Sequence, residues 1–131
     1  MKASYYDVIS GLSGIGLYLL ECESSGERDE ALKVLLECIV QIFNGKHEYK
    51  GRQIPNWHIE SKNLVREDEK TTFTNGNFNF GVAHGLIGIG IALSKACSKS
   101  MIVDGQAEAI KGILDIYVKY GTPNAEGIYL W

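Results

Sequence analysis

The sequence predicts an all-α fold made of two helical hairpins, and three observations carry that expectation. Apolar residues recur with helical period in four separate segments. Short stretches at 23–25 and 100–103 join those segments in pairs, as antiparallel helical hairpins require. A glycine-rich motif at the start of the first pair returns at the start of the second.

The first helix is expected over 5–22, with Val8, Leu12, Ile15 and Leu19 along one face. The second, over 26–44, aligns Ala31, Val34, Leu35, Cys38 and Ile42. Ser24 and Glu27 stand at capping-box spacing at its start, and Asn44-Gly45 is a C-terminal stop. The third, over 79–99, lines up Val82, Leu86, Ile89, Leu93 and Ala96. The fourth runs over 104–120, with Asp104 as N-cap, Ile110, Ile113, Leu114 and Tyr117 on its apolar face, and Gly121 and Pro123 beyond its end. No strand is expected, because 49–60 is short and interrupted by Gly51 and Pro55. The connector 45–78 carries six Lys+Arg against five Asp+Glu. It reads as a solvated surface loop pinned by Trp57, with a binding loop as the competing reading. His47 and His58, both within it, read as surface residues. The chain is thus expected to be a single partial domain, with hairpins over about 5–44 and 79–120.

Composition narrows the function. At 131 residues and 14.5 kDa the chain suits one domain at most. Hydrophobic residues at 45% and charged residues at 22% are too apolar a mixture for disorder. A net charge of −3 gives no basic footprint for nucleic acid or anionic lipid. Apolar runs fall short of the roughly 20 residues of a membrane span. Three cysteines, an odd number, argue against a disulfide framework. Cys22, Cys38 and Cys97 read as reduced core residues of a cytosolic protein, since no CxxC, CxxH or Cys-His pair has ligand spacing.

The repeat is the most informative feature. ISGLSGIGLYLL at 9–20 aligns with AHGLIGIGIALS at 83–94, sharing Gly11/Gly85, Gly14/Gly88 and Gly16/Gly90. Each glycine costs about 0.8–1 kcal/mol against alanine inside a helix, so their recurrence implies a steric demand, a close approach by backbone or ligand. A dinucleotide fingerprint is excluded by the residue order GLSGIG and by the absence of a preceding strand. Two polar residues stand among these glycines. Asp7 precedes Gly11 by four residues, and His84 immediately precedes Gly85. Taken singly, Asp7 is a favourable charge in a first helical turn and His84 a hydrogen-bonded core residue. Because both open repeated helices, they are expected to converge as a carboxylate–imidazole pair suited to general acid–base chemistry.

YYDVISGLSGIGLYLL and NFGVAHGLIGIGIALSKA resemble two glycine-helix repeats of the lanthionine synthetase C-like proteins, the cyclases of lantibiotic biosynthesis. The resemblance implies a segment of an α/α toroid, with the first and third helices inner and the second and fourth outer. A complete ring has about seven such repeats, so a chain stopping at Trp131 is expected to be a fragment. The implied chemistry is addition of a peptide cysteine thiolate to dehydroalanine or dehydrobutyrine, giving a thioether ring. His84 would match the histidine that protonates the resulting enolate, and Asp7 its neighbouring aspartate. The resemblance implies zinc in the full-length family. None is expected in this chain, because Cys22, Cys38 and Cys97 do not match the family's two Cys and one His ligands. The implied partners are a lantibiotic-type precursor peptide, a dehydratase and an exporter. The implied location is the cytoplasm, and self-association through open hairpin flanks is expected. A non-catalytic helical-repeat scaffold that binds peptide or protein is the alternative. A carbohydrate-active toroid ranks last, because only Asp7 is well placed where a pair of carboxylates is needed.

Overall fold

The computed structural model describes residues 1–123 and 129–130, so the terminal Trp131 lies outside the described residues. Four long helices form two hairpins: α1 (Leu12–Glu21) with α2 (Gly26–Asn44), and α4 (Leu86–Ser98) with α5 (Gln106–Tyr120). α1 packs on α2 and α4, and α5 packs on α4 and α2. The two glycine-rich helices therefore lie side by side in one layer, and their partners form the other. A short antiparallel pair, β3 (Thr122–Pro123) with β4 (Tyr129–Leu130), follows α5.

Both glycine helices begin seven residues later than their periodicity suggests, at Leu12 rather than 5 and at Leu86 rather than 79. The cause is local. Gly11 and Gly85 are extended N-caps without a side-chain cap. The residues before them fold back so that their carbonyls meet the free helix N–H groups: Ser13 N–H donates to Tyr6 O, Gly14 N–H to Asp7 O, and Leu86 N–H to Asn79 O. A Cβ on Gly14 would collide with Val8 O, and one on Gly88 would lie 2.7 Å from the equivalent Val82 O. The repeated glycines make room for this returning loop.

Elsewhere the caps differ in detail. Ser25, not Ser24, caps α2, accepting from Arg28 N–H at 3.2 Å, while Ser24 Oγ donates to Asp29 Oδ2. Gly105, left-handed at φ 75°, takes the place expected for Asp104 before α5. Gln106 secures that turn. Its Oε1 accepts from Val103 N–H at 2.8 Å and its Nε2 donates to Leu93 O at 2.9 Å, with the side chain fully buried.

The core comprises Leu20, Leu32, Leu36, Ile39, Leu86, Ile89, Leu93, Ala96, Ala109 and Ile113. Each large aliphatic side chain buried there contributes about 1.5–3 kcal/mol. The stripe on the third helix from Leu86 to Ala96 points inward as its spacing requires. Those on the first two are displaced, with Ile15 and Val34 about half exposed. Cys22, Cys38 and Cys97 are half-buried free thiols at the edge of the core, not inside it.

The connector departs most from expectation. A β-hairpin forms where no strand was expected, β1 (Lys46–Tyr49) against β2 (Arg52–Pro55), pairing His47 with Ile54 and Tyr49 with Arg52. Lys50 and Gly51 make its turn at φ 51° and 74°. Pro55 is tolerated at the strand end, where no ladder donor is needed. A short 3-10 turn (Ser61–Asn63) and α3 (Glu67–Thr72) follow, and Ile59 pairs with Asn77 to close the excursion. Trp57 does pin the segment, at 5% exposure with its ring 4.6 Å from Phe78. His58 is buried beside it, not on the surface.

Candidate functional site

Asp7 sits in the returning loop before α1, not in a helical turn, and the loop fixes it closely. Ala3 O accepts from the N–H groups of Tyr6 and Asp7, both at 2.9 Å. Tyr6 is fully buried, and its hydroxyl donates to Trp57 O at 3.0 Å. Burial, with the Asp7 charge as a second cause, holds that phenol well above its ordinary pKa, so it stays a neutral donor. Ser10 N–H donates to Asp7 Oδ1 at 2.7 Å, orienting a carboxylate that is almost wholly buried.

The second returning loop brings His84 to the same place. Val8 N–H donates to Ala83 O at 3.1 Å, lacing the two loops together one residue from Asp7 and one from His84. His84 Nδ1 lies 2.6 Å from Asp7 Oδ2. A carboxylate oxygen accepts, so Nδ1 carries the donated hydrogen and Nε2 is left for chemistry. The two members differ sharply in exposure, with the His84 side chain 53% exposed and that of Asp7 2%. Both line a cavity of about 750 Å³, whose facing wall is the connector, through Ile59, Lys62, Leu64 and Arg66. A buried carboxylate thus holds a half-exposed imidazole at the wall of a cavity, an arrangement chemically able to deliver or accept a proton.

Asp7 and His84 are therefore brought together, while His47 and His58 stand apart in the connector. The reading of the sequence missed Tyr6, Ser10, His58 and Gln106. Tyr6 was detectable in principle, because the same repeat offset that aligns Gly11 with Gly85 aligns it with Phe80. Gln106 and His58 carry no local signal.

The cysteines do not provide a metal centre. Cys22 Sγ donates to Tyr18 O, and Cys97 Sγ accepts from Gln106 Nε2 at 3.2 Å on a different helix. Among the described residues no three His, Cys, Asp or Glu side chains gather at ligand distance. The residues present do not fit a zinc site, which needs about three protein ligands.

Paired helices in two layers, with glycine-opened helices side by side in one of them, are the arrangement of an α/α toroid segment. The lanthionine synthetase C-like protein family matches residues 1–131, and the chain belongs to that family. It is 36% identical over 115 residues to the nisin biosynthesis protein NisC of Lactococcus lactis subsp. lactis, covering 88% of this chain and 26% of that protein. The solved structure of nisin cyclase, an α/α toroid, superposes with a TM-score of 0.83 at 29% identity, covering 97% of this chain and 30% of that one. The chain therefore has the fold of a toroid segment and spans under a third of the length of these relatives.

Proposed function

We propose that this chain supplies the acid–base half of a lanthionine-forming cyclase acting on a lantibiotic-type precursor peptide. The supporting observation is the 2.6 Å contact between buried Asp7 and cavity-facing His84. When a peptide thiolate adds to the β-carbon of dehydroalanine or dehydrobutyrine, the electron pair of the double bond moves onto the α-carbon and its carbonyl, giving an enolate. His84, as imidazolium, passes the Nε2 proton to the α-carbon. The proton released by the thiol restores the imidazolium, so the step balances. Asp7 holds the ring orientation and stabilises the charged imidazole, the usual part of a carboxylate behind a histidine.

The zinc that the family resemblance implies finds no set of three ligands among the described residues. A dehydratase that prepares the peptide and an exporter that removes the product are the proposed partners. The proposed site of action is the cytoplasm, and among the described residues no helix is long and apolar enough to cross a membrane. The isolated chain is proposed to self-associate.

The test is made in a complete cyclase carrying this segment, with thioether product followed by mass spectrometry. His84→Asn is expected to lower the rate by about 10²–10⁴-fold, the range of general acid–base groups. Asp7→Asn is expected to have a smaller effect of the same kind. A change below about threefold for His84→Asn overturns the assignment and favours the peptide-binding scaffold.

A further inference from the structure

The connector encloses a second cavity that the proposed chemistry leaves unused. The tip of the β1–β2 hairpin is tied down, because Lys50 Nζ donates to Thr74 O at 2.7 Å and to Asn75 Oδ1 at 3.2 Å. Gly76, at φ 74°, carries the backbone so close to His58 that a Cβ there would lie 2.7 Å from its Nε2. His58, only 4% exposed, donates Nε2–H to Asn75 O at 2.9 Å. Between the hairpin and this turn remains a cavity of about 420 Å³. Tyr49, Lys50, Arg52, His58, Asn75 and Phe78 contribute to its walls.

Its charge is one-sided. No Asp or Glu lines it. Among the described residues Arg28, Lys62, Arg66, Lys70, Lys95, Lys99 and Lys111 each pair with a carboxylate, whereas Lys2, Lys33, Lys46 and Lys119 do not, and none of those four lines this cavity. Arg52 has no such partner among the described residues, and the contacts of Lys50 are to neutral oxygens. Two uncompensated cations thus face one cavity in a chain whose net charge is −3. Position adds a second constraint. Asn77 lines this cavity and also the cavity of Asp7 and His84, so the two cavities adjoin at that residue.

We propose that this cavity binds the carboxylate of an acidic residue in the peptide on which the Asp7–His84 site acts. The inference rests on the reading of that site as peptide-modifying. The Arg52 guanidinium offers the planar fork that matches a carboxylate, and Lys50 adds a second charge. Tyr49 and Phe78 flank the apolar stem of the acidic side chain. A free inorganic anion shares the charge but not the stem.

The 131-residue chain is titrated calorimetrically with a capped pentapeptide bearing a central glutamate, with its glutamine counterpart, and with inorganic phosphate. The glutamate peptide is expected to bind about tenfold more tightly than the glutamine peptide, as a charge-assisted contact allows. That preference is expected to shrink with added salt. It should vanish in Arg52→Gln and persist in Lys111→Gln, with circular dichroism checking that both variants fold. Equal binding of the two peptides, or a preference that survives Arg52→Gln, overturns the proposal. Phosphate binding as tightly as the glutamate peptide overturns it too, by making the cavity a general anion site. Because the readout is binding alone, it separates from the functional reading. A glutamate preference in a protein whose thioether formation ignores His84→Asn keeps this cavity and fails the acid–base assignment.

Discussion

His58 is the residue on which pH should act most visibly. Burial holds its pKa below the ordinary 6.5, and the bond to Asn75 O opposes that shift without cancelling it. The unfolded chain therefore binds more protons than the folded one between the folded value and 6.5. The stability His58 contributes is full above that pH and declines as acid is added through it. The denaturation midpoint is expected to fall from pH 7 to pH 5, and His58→Gln should flatten that slope. A slope unchanged in the variant refutes the assignment. Glu60 acts in a separate window. Its bond to Lys62 first, and to the N-terminal amine second, lowers its carboxyl to about 2 from 4.5. Its contribution is lost only as pH falls below about 4.5. At this scale the sequence was legible where a repeat framed the residue. Asp7 and His84 stood out because each departs from a motif that otherwise recurs. The burial of His58 depends on a hairpin, a turn at Gly76 and two aromatic rings brought together by a long connector. No window of local sequence contains them all.

At the scale of elements, the glycines explain both what the periodicity foretold and where it misled. The apolar spacing before Gly11 and Gly85 looks helical, yet those residues return over the helix start to satisfy its free N–H groups. Apolar spacing reports which residues are buried, not which of two backbone paths buries them. The β1–β2 hairpin escaped for a related reason. Its strands are only four residues each, half-exposed, and marked by a Lys-Gly turn rather than by apolar alternation. Gly88 gives the sharpest test of the loop's role. A Cβ there would stand 2.7 Å from Val82 O and 2.8 Å from the Val8 side chain, which belongs to the other repeat. Gly88→Ala is expected to destabilise the fold by about 1–3 kcal/mol, as overpacking does. It should also push apart the loops laced by Val8 N–H and Ala83 O, weakening the bond between Asp7 and His84. Thermal melting reads the first effect, and the nitrogen shifts of the His84 ring read the second. Gly26, where a Cβ meets nothing within 4 Å, is the control, and Gly26→Ala should leave both readings near their original values. Equal behaviour of the two variants would remove the steric account of the repeat.

For the whole molecule, the decisive feature is the surface that the two hairpins leave uncovered. In a toroid each inner–outer pair is flanked by others, and this chain corresponds to 30% of the matched nisin cyclase chain. On the α4–α5 flank, Ile91, Leu114, Val118 and Tyr120 are between 39% and 75% exposed. Beside them Ile87, Gly90, Ile110 and Ile113 help to shape an apolar hollow of about 420 Å³. At roughly 25 cal/mol per Å², covering several hundred Å² of such surface releases several kcal/mol. A second copy of the chain carries the same apolar flank. The 131-residue chain is therefore expected to self-associate at micromolar concentration. Leu114→Asp combined with Val118→Asp should shift it to monomer, because a charge at the centre of an apolar contact is desolvated without a partner. Both positions are on the solvent side of α5, so the fold should survive the change. Light scattering over a dilution series measures the outcome. A stable monomer at high micromolar concentration in the unaltered chain would mean that the exposed flank is too small or too mobile to hold a second copy.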